Sequence, residues 1–246
     1  MKKYGLIGYP LGHSFSVPYF TKKFEEGGID AVYENFPIED ITRFSKLIES
    51  EPELEGLNVT VPYKEKVIPY LDVLSKTARQ IRAVNTIHVC RKDGRVALIG
   101  HNTDIMGFKR SLSEHLQDHH RSALVLGTGG SSKAVLFVLE ELGIKVRVVS
   151  RNQGSDLITY KDLDTGLIAD TPLIINTTPL GMHPHADTFP DIPYHAITSD
   201  HLLFDLVYNP PETRFMALGR EQGAAVVNGH DMLVYQAEGS WDRWNR

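Results

Sequence analysis

One stretch narrows the folds open to this chain more than any other. Gly127-Thr128-Gly129-Gly130-Ser131-Ser132-Lys133-Ala134 follows an apolar run, Ser122–Leu126, that reads as a strand. After it, Ala134, Val135, Val138, Leu139 and Leu142 recur at helical spacing. Strand, glycine turn and helix in that order make the corner that receives a dinucleotide pyrophosphate. Gly127 permits the tight turn, Gly129 lets the backbone approach the phosphates, and the helix start offers them free amides. Ala134 is small enough for close packing of helix on strand. A glycine turn that merely joins strand to helix has the same local look, so the neighbouring strand carries weight. That strand, 146–149, runs into Ser150-Arg151-Asn152. An acidic residue at this point would hold a free ribose 2′-hydroxyl, whereas an arginine accommodates a 2′-phosphate. Arg151 is present and no acid stands beside it, which favours NADP(H) over NAD.

The rest of the chain alternates short apolar runs with helical patterns, the signature of βα units around a mainly parallel sheet. Strands are predicted at 4–7, 31–36, 57–60, 86–90, 96–99, 173–175, 202–206 and 224–227. Helices are predicted from Ser16 to the paired Gly27-Gly28, around Ile41, Phe44, Leu47 and Ile48, after Pro62, at 213–221 and at 231–244. Lys92-Asp93-Gly94 marks a hairpin. The expected fold is α/β, with an N-terminal α/β substrate domain (1–103 plus 230–246) and a Rossmann-like, doubly wound dinucleotide domain (104–229). The C-terminal helix returns to the first domain.

Bulk properties exclude more than they assign. A net charge of −5 over 246 residues gives no electrostatic reason to bind nucleic acid or an anionic membrane. No apolar run is long enough to span a bilayer, and Gly8, Pro10 and Gly12 interrupt any signal-peptide core. The single cysteine, Cys90, allows no intrachain disulfide and fits a cytoplasmic setting. His119-His120 and His183-Pro184-His185 lack zinc spacing and read as solvated surface, so no metal is expected. The partner is a small-molecule substrate, and the chain is expected as a monomer or homodimer.

Four polar motifs fall at predicted strand ends, where α/β folds carry functional side chains. In Gly8-Tyr9-Pro10-Leu11-Gly12-His13-Ser14-Phe15-Ser16, two hydroxyls can face an anion, although Ser16 is equally suited to cap a helix. In Gly56-Leu57-Asn58-Val59-Thr60-Val61-Pro62-Tyr63-Lys64, alternation puts Asn58 and Thr60 on one face. Lys64 then falls in a first helical turn, against the helix dipole. Ala83-Val84-Asn85-Thr86 is the third motif. The fourth is Gly100-His101-Asn102-Thr103-Asp104-Ile105-Met106-Gly107, where Asp104 also suits a helix cap.

These motifs, the glycine turn, Asn176-Thr177-Thr178-Pro179-Leu180-Gly181-Met182, Asp205-Leu206-Val207-Tyr208-Asn209-Pro210 and Asn228-Gly229-His230-Asp231-Met232-Leu233-Val234-Tyr235-Gln236 resemble, in this order, the shikimate dehydrogenases. Each motif alone is weak, but the ordered set is specific and spans nearly the whole chain. The resemblance implies NADPH-dependent, reversible reduction of 3-dehydroshikimate to shikimate in aromatic amino-acid biosynthesis. It implies that Lys64 and Asp104 form the catalytic pair. Ser14, Ser16 and Tyr208 match hydroxyls that hold the substrate carboxylate, and Asn58, Thr60, Asn85 and Gln236 match groups around the ring hydroxyls. Gly127, Thr128, Gly129, Gly130 and Ser131 match the pyrophosphate loop, and Ser150, Arg151 and Asn152 the 2′-phosphate segment. Leu206 and Gly229 fall where the family approaches the nicotinamide. Two departures are Gly154, where relatives often carry a second basic residue, and Arg82, where they carry glycine.

The rivals are a quinate/shikimate dehydrogenase tolerant of NAD, a folate one-carbon dehydrogenase and a non-catalytic shikimate-binding module. The missing acid beside Arg151 speaks against the first. The paired serines speak against the second, and the intact Lys64 and Asp104 motifs against the third.

Overall fold

Strand β1 (Lys2–Gly8) shows how the first sheet forms: Tyr4 and Leu6 enter one apolar cluster and Ile7 another, as the two-residue period of a strand requires. The computed structural model describes residues 1–12 and 14–245, so His13 of the first motif lies outside the described residues. The chain divides into two units, Met1–Asp104 with Gln236–Arg246, and Ile105–Tyr235.

In the first unit β1 is followed by α1 (Ser16–Gly27), β2 (Ala31–Pro37), α2 (Phe44–Ser50), β3 (Leu54–Val59), β4 (Val73–Leu74), α3 (Lys76–Ile81), β5 (Thr86–Lys92) and β6 (Arg95–His101). The sheet order is β2-β1-β3-β5-β6-β4, with β5 antiparallel to its two neighbours. β5 and β6 are joined by Asp93 and Gly94, both at positive φ, as a two-residue hairpin turn needs. One face packs on Phe44, Ile48, Tyr63 and Val67. The other packs on Phe20, Phe24 and Trp244, where the Tyr4 and Trp244 rings stack at 4.8 Å.

Helix α4 (Asp104–Ser113) leads into the second unit, which holds β7 (Ser122–Leu126), α5 (Gly130–Glu141), β8 (Lys145–Ser150), β9 (Leu157–Thr159), α6 (Thr165–Ala169), β10 (Leu173–Asn176), β11 (Leu202–Asp205), α7 (Arg214–Glu221) and β12 (Ala225–Val227). Every pairing is parallel and the order is β12-β11-β10-β7-β8-β9. Counted from β7, this is the 3-2-1-4-5-6 order of a dinucleotide-binding Rossmann sheet, which reverses direction between β7 and β10. The final helix α8 (His230–Trp244) ends in the first unit, with Gln236 onward counted there.

The structure corrects three local expectations. No α-helix follows Pro62; turns lead to a 3-10 segment, Ile68–Tyr70. Pro69 follows too soon for a helix to propagate, and it removes a donor the second turn would use. Ser16 does not cap α1 but is its first residue, and its own amide donates to Ser14 Oγ at 3.2 Å. His120 is buried rather than solvated, because Nδ1 accepts from the Gln117 amide at 2.9 Å and closes the loop over the ring.

Candidate active site

The predicted site residues of the first unit gather at one edge of its sheet. Ser14 and Ser16 follow the C-terminal end of β1, and Asn58 and Thr60 lie at the C-terminal end of the adjacent parallel β3. β5 runs the other way, so its start faces that same edge, and Asn58 pairs with Thr86. Thr86 also pairs with His101 at the end of β6, which brings in the segment up to Asp104. Lys64 is reached by a turn, and its carbonyl accepts from the Val84 amide at 2.7 Å. That bond sets it beside Asn85.

A closed polar network results. Lys64 Nζ donates to Asp104 Oδ2 at 2.7 Å, with side-chain exposures of only 13% and 8%. Asn85 Nδ2 donates to Asp104 Oδ1 at 2.8 Å and to Gln236 Oε1 at 3.3 Å. Asn85 Oδ1 accepts from the Thr103 amide at 2.7 Å. Asn58 Oδ1 accepts from the Tyr33 hydroxyl at 2.8 Å, and its Nδ2 donates to Ser240 Oγ at 2.8 Å. Burial pushes the Tyr33 phenol far above its usual range, and a hydrogen bond from Ser16 opposes that push. Lys64, Asp104, Asn85 and Gln236 are therefore linked directly, and Ser16 and Asn58 join through Tyr33. Thr60 is half-buried beside them and holds the strand end through its amide, which donates to the Ile7 carbonyl at 2.9 Å.

In the second unit the glycine turn sits where the strand order reverses. Gly127 has φ of 109°, a conformation L side chains rarely adopt, and a Cβ there would lie 2.8 Å from Thr177 Oγ1 beyond β10. Thr128 and Gly129 are exposed, Gly130 and Ser131 half-buried, and the start of α5 has no side-chain cap hydrogen bond at Gly129. Its amides and dipole are thus directed as an anion site requires. Ser150 ends β8, and Arg151 and Asn152 follow it on the same edge, since the Gly127 amide donates to the Val149 carbonyl at 2.9 Å. Arg151 is exposed. Leu206 and Tyr208 follow β11. Gly229 packs so tightly that a Cβ would fall 2.2 Å from the Leu206 carbonyl oxygen.

Comparison with known proteins fixes the lineage. Residues 6–87 match the family model described as the shikimate dehydrogenase substrate binding domain. The shikimate dehydrogenase (NADP(+)) of Halothermothrix orenii is 39% identical over 264 residues, covering 98% of this chain and 89% of the relative. The chain belongs to the shikimate dehydrogenase family. The crystal structure of a shikimate 5-dehydrogenase from Thermus thermophilus in complex with NADP(H) and shikimate is 30% identical, with a TM-score of 0.86. The match covers 99% of this chain and 93% of that one. A quinate dehydrogenase from Corynebacterium glutamicum in complex with NAD is also similar, at 26% identity and a TM-score of 0.85, over 99% of this chain and 93% of that one.

Within this shikimate dehydrogenase family member, the sequence reading missed Tyr33 and Ser240, and it named Thr86 and Thr103 within motifs but gave them no role. Thr86, Thr103 and Ser240 bond one another at 2.8 to 3.2 Å beneath Asn58 and Asn85. Ser240 carried a usable signal: it lies one helical turn after Gln236 on the same face of α8.

Proposed function

We propose that this chain is an NADP-dependent shikimate dehydrogenase that interconverts 3-dehydroshikimate and shikimate. The observation that carries the reading is the Lys64–Asp104 pair, tied through Asn85 to Gln236 and set in a unit of this family. The first unit takes the role of substrate domain and the second that of dinucleotide domain. Burying an ion pair gains little stability by itself, so a lysine and an aspartate held at a strand-end cluster fit a chemical role.

The second unit fits the cofactor: Gly127 leaves a cradle a side chain would fill, and α5 starts uncapped. Gly127, Thr128, Gly129, Gly130 and Ser131 would hold the pyrophosphate, Ser150, Arg151 and Asn152 the 2′-phosphate, and Leu206 and Gly229 the nicotinamide. When bound, NADPH supplies hydride to the ring ketone. Lys64 donates the proton that the developing alkoxide needs and stabilises its charge. Asp104 holds the ammonium in place and accepts from the neighbouring ring hydroxyl. Ser14, Ser16 and Tyr208 hold the carboxylate by directed hydrogen bonds. Asn58, Thr60, Asn85 and Gln236 fix the ring hydroxyls. Asn58 acts with its amide already anchored to Tyr33 and Ser240. Among the described residues no helix is long and apolar enough to cross a membrane. The free thiol of Cys90 is in keeping with a cytoplasmic site of action.

Ser14→Ala is expected to raise the KM for shikimate roughly tenfold to a hundredfold, the worth of one hydrogen bond to a charged group, with the KM for NADP steady. Steady-state kinetics in both substrates check this, and a rise in the NADP KM alone would contradict it. Arg151→Ala is expected to weaken NADP by about 1.5–3 kcal/mol and leave NAD nearly unchanged, because only NADP offers a 2′-phosphate to the guanidinium. Cofactor titrations of wild type and variant decide it, and equal loss for both cofactors would remove Arg151 as the selector. Gly154 offers no second cation, so the preference for NADP is expected to rest on Arg151. The whole reading is tested by initial rates with shikimate and quinate, each against NADP and NAD. Shikimate with NADP should be fastest; quinate with NAD as the best pair would return the quinate dehydrogenase reading.

A further inference from the structure

Asp205 ends β11 with no exposed surface and plays no part in the chemistry above. Three donors surround its carboxylate. Oδ1 accepts from Asn176 Nδ2 at 2.9 Å and from the Val207 amide at 3.0 Å, and Oδ2 accepts from Thr213 Oγ1 at 2.6 Å. Burial nevertheless outweighs those donors and pushes the carboxyl up to about 6. The ionised form is therefore less favoured in the folded chain than in the unfolded one, so above that pH its charge weakens the fold. A buried charge kept at such a cost, at the C-terminal edge of a Rossmann sheet, calls for a use beyond stability.

The bonds show what the charge does. Asn176 ends the adjacent β10 and turns its own oxygen to the amide and hydroxyl of Thr178, at 3.0 and 2.6 Å. Thr213 caps α7 by accepting from the Met216 amide at 3.3 Å. Val207 lies between Leu206 and Tyr208, and its carbonyl accepts from the Gly229 amide at 3.1 Å. The Leu206 amide donates to the Asn176 carbonyl at 2.9 Å. One carboxylate thus ties two strand ends, the start of α7 and the backbone of 206–208 together.

We propose that Asp205 is a positioning residue whose ionised carboxylate sets the 206–208 backbone and so places Leu206 for the nicotinamide and Tyr208 for the substrate carboxylate. The proposal rests on the functional reading above. Asp205→Asn conserves volume and keeps an oxygen for Asn176 and Val207, but it puts an amino group against Thr213 and removes the charge. The expected result is a melting temperature close to wild type, a kcat/KM for shikimate about tenfold lower, and faster amide exchange across 206–209. The tenfold loss is the difference between a charge-assisted and a neutral hydrogen bond. Thr213→Val, which removes the Oδ2 donor, is expected to move kcat/KM and exchange in the same directions. Kinetics per folded molecule and hydrogen–deuterium exchange on both variants test it. A fall in melting temperature with kcat/KM within twofold of wild type would overturn it, since that is what a merely structural group gives. A kinetic loss with unchanged exchange would overturn it equally. Wild type without shikimate-dependent NADP reduction would instead overturn the functional reading, and the exchange result would still decide whether Asp205 sets this segment.

Discussion

Lys64→Ala is expected to lower kcat by about 10²–10⁴, the range for loss of a general acid–base, while shikimate binding changes far less. The geometry makes this a strong test. Lys64 Nζ is held at 2.7 Å from Asp104 and is mostly shielded from solvent, so a nearby water is poorly placed to replace it. The substitution also leaves Asp104 buried with Asn85 as a remaining partner, and unpairing a buried charge destabilises by about 3–5 kcal/mol. A lower melting temperature is therefore expected alongside the lost rate, and the rate must be referred to folded enzyme. Single-turnover measurements with saturating shikimate and NADP separate the two effects. A variant with near-wild-type kcat would remove Lys64 from the proton transfer.

Asp104→Asn is expected to cut kcat about a hundredfold or more and to lower the melting temperature as well, because it leaves the shielded Lys64 ammonium without its counter-charge. Asp104 is the first residue of α4, where its charge is worth only about 0.3–1 kcal/mol against the helix dipole, so a purely structural role would leave activity intact. The carboxylate, however, takes Lys64 on one oxygen and Asn85 on the other. Losing its charge removes what orients the ammonium, while Asn85 and Gln236 still define the pocket. Paired kinetics and thermal melts distinguish the roles, and full activity in this variant would return Asp104 to a structural part.

What the sequence made legible was mostly local. The glycine turn, the Asp93-Gly94 hairpin, the first strand and the Thr213 start of α7 each depend on residues close in the chain, and each stands in the structure. The glycine turn also carried the expectation of a Rossmann-like, doubly wound sheet, and the strand order agrees with it. After Pro62 the local pattern suits a helix, because proline fits helix position one, but Pro69 closes that option within two turns. The contacts of Ser240 and Tyr33 with Asn58 were hidden for another reason. Ser240 reaches Asn58 because α8 lies on β3, where a Cβ on Gly56 would come within 2.4 Å of the Trp244 ring, and Tyr33 reaches it from β2 across β1. Both contacts join residues far apart in the chain, and only the place of Ser240 one helical turn after Gln236 leaves a periodic trace. Asp205 was visible within a motif, but only burial and its three donors reveal its environment.

The most direct test of the account is NADPH oxidation by the purified chain with 3-dehydroshikimate, followed by the loss of nicotinamide absorbance. The expected result is saturable turnover, one NADPH consumed per molecule of shikimate formed, with NADH much slower under the same conditions. Tight binding of shikimate without any turnover would contradict the account, as would consumption of NADPH that does not depend on 3-dehydroshikimate.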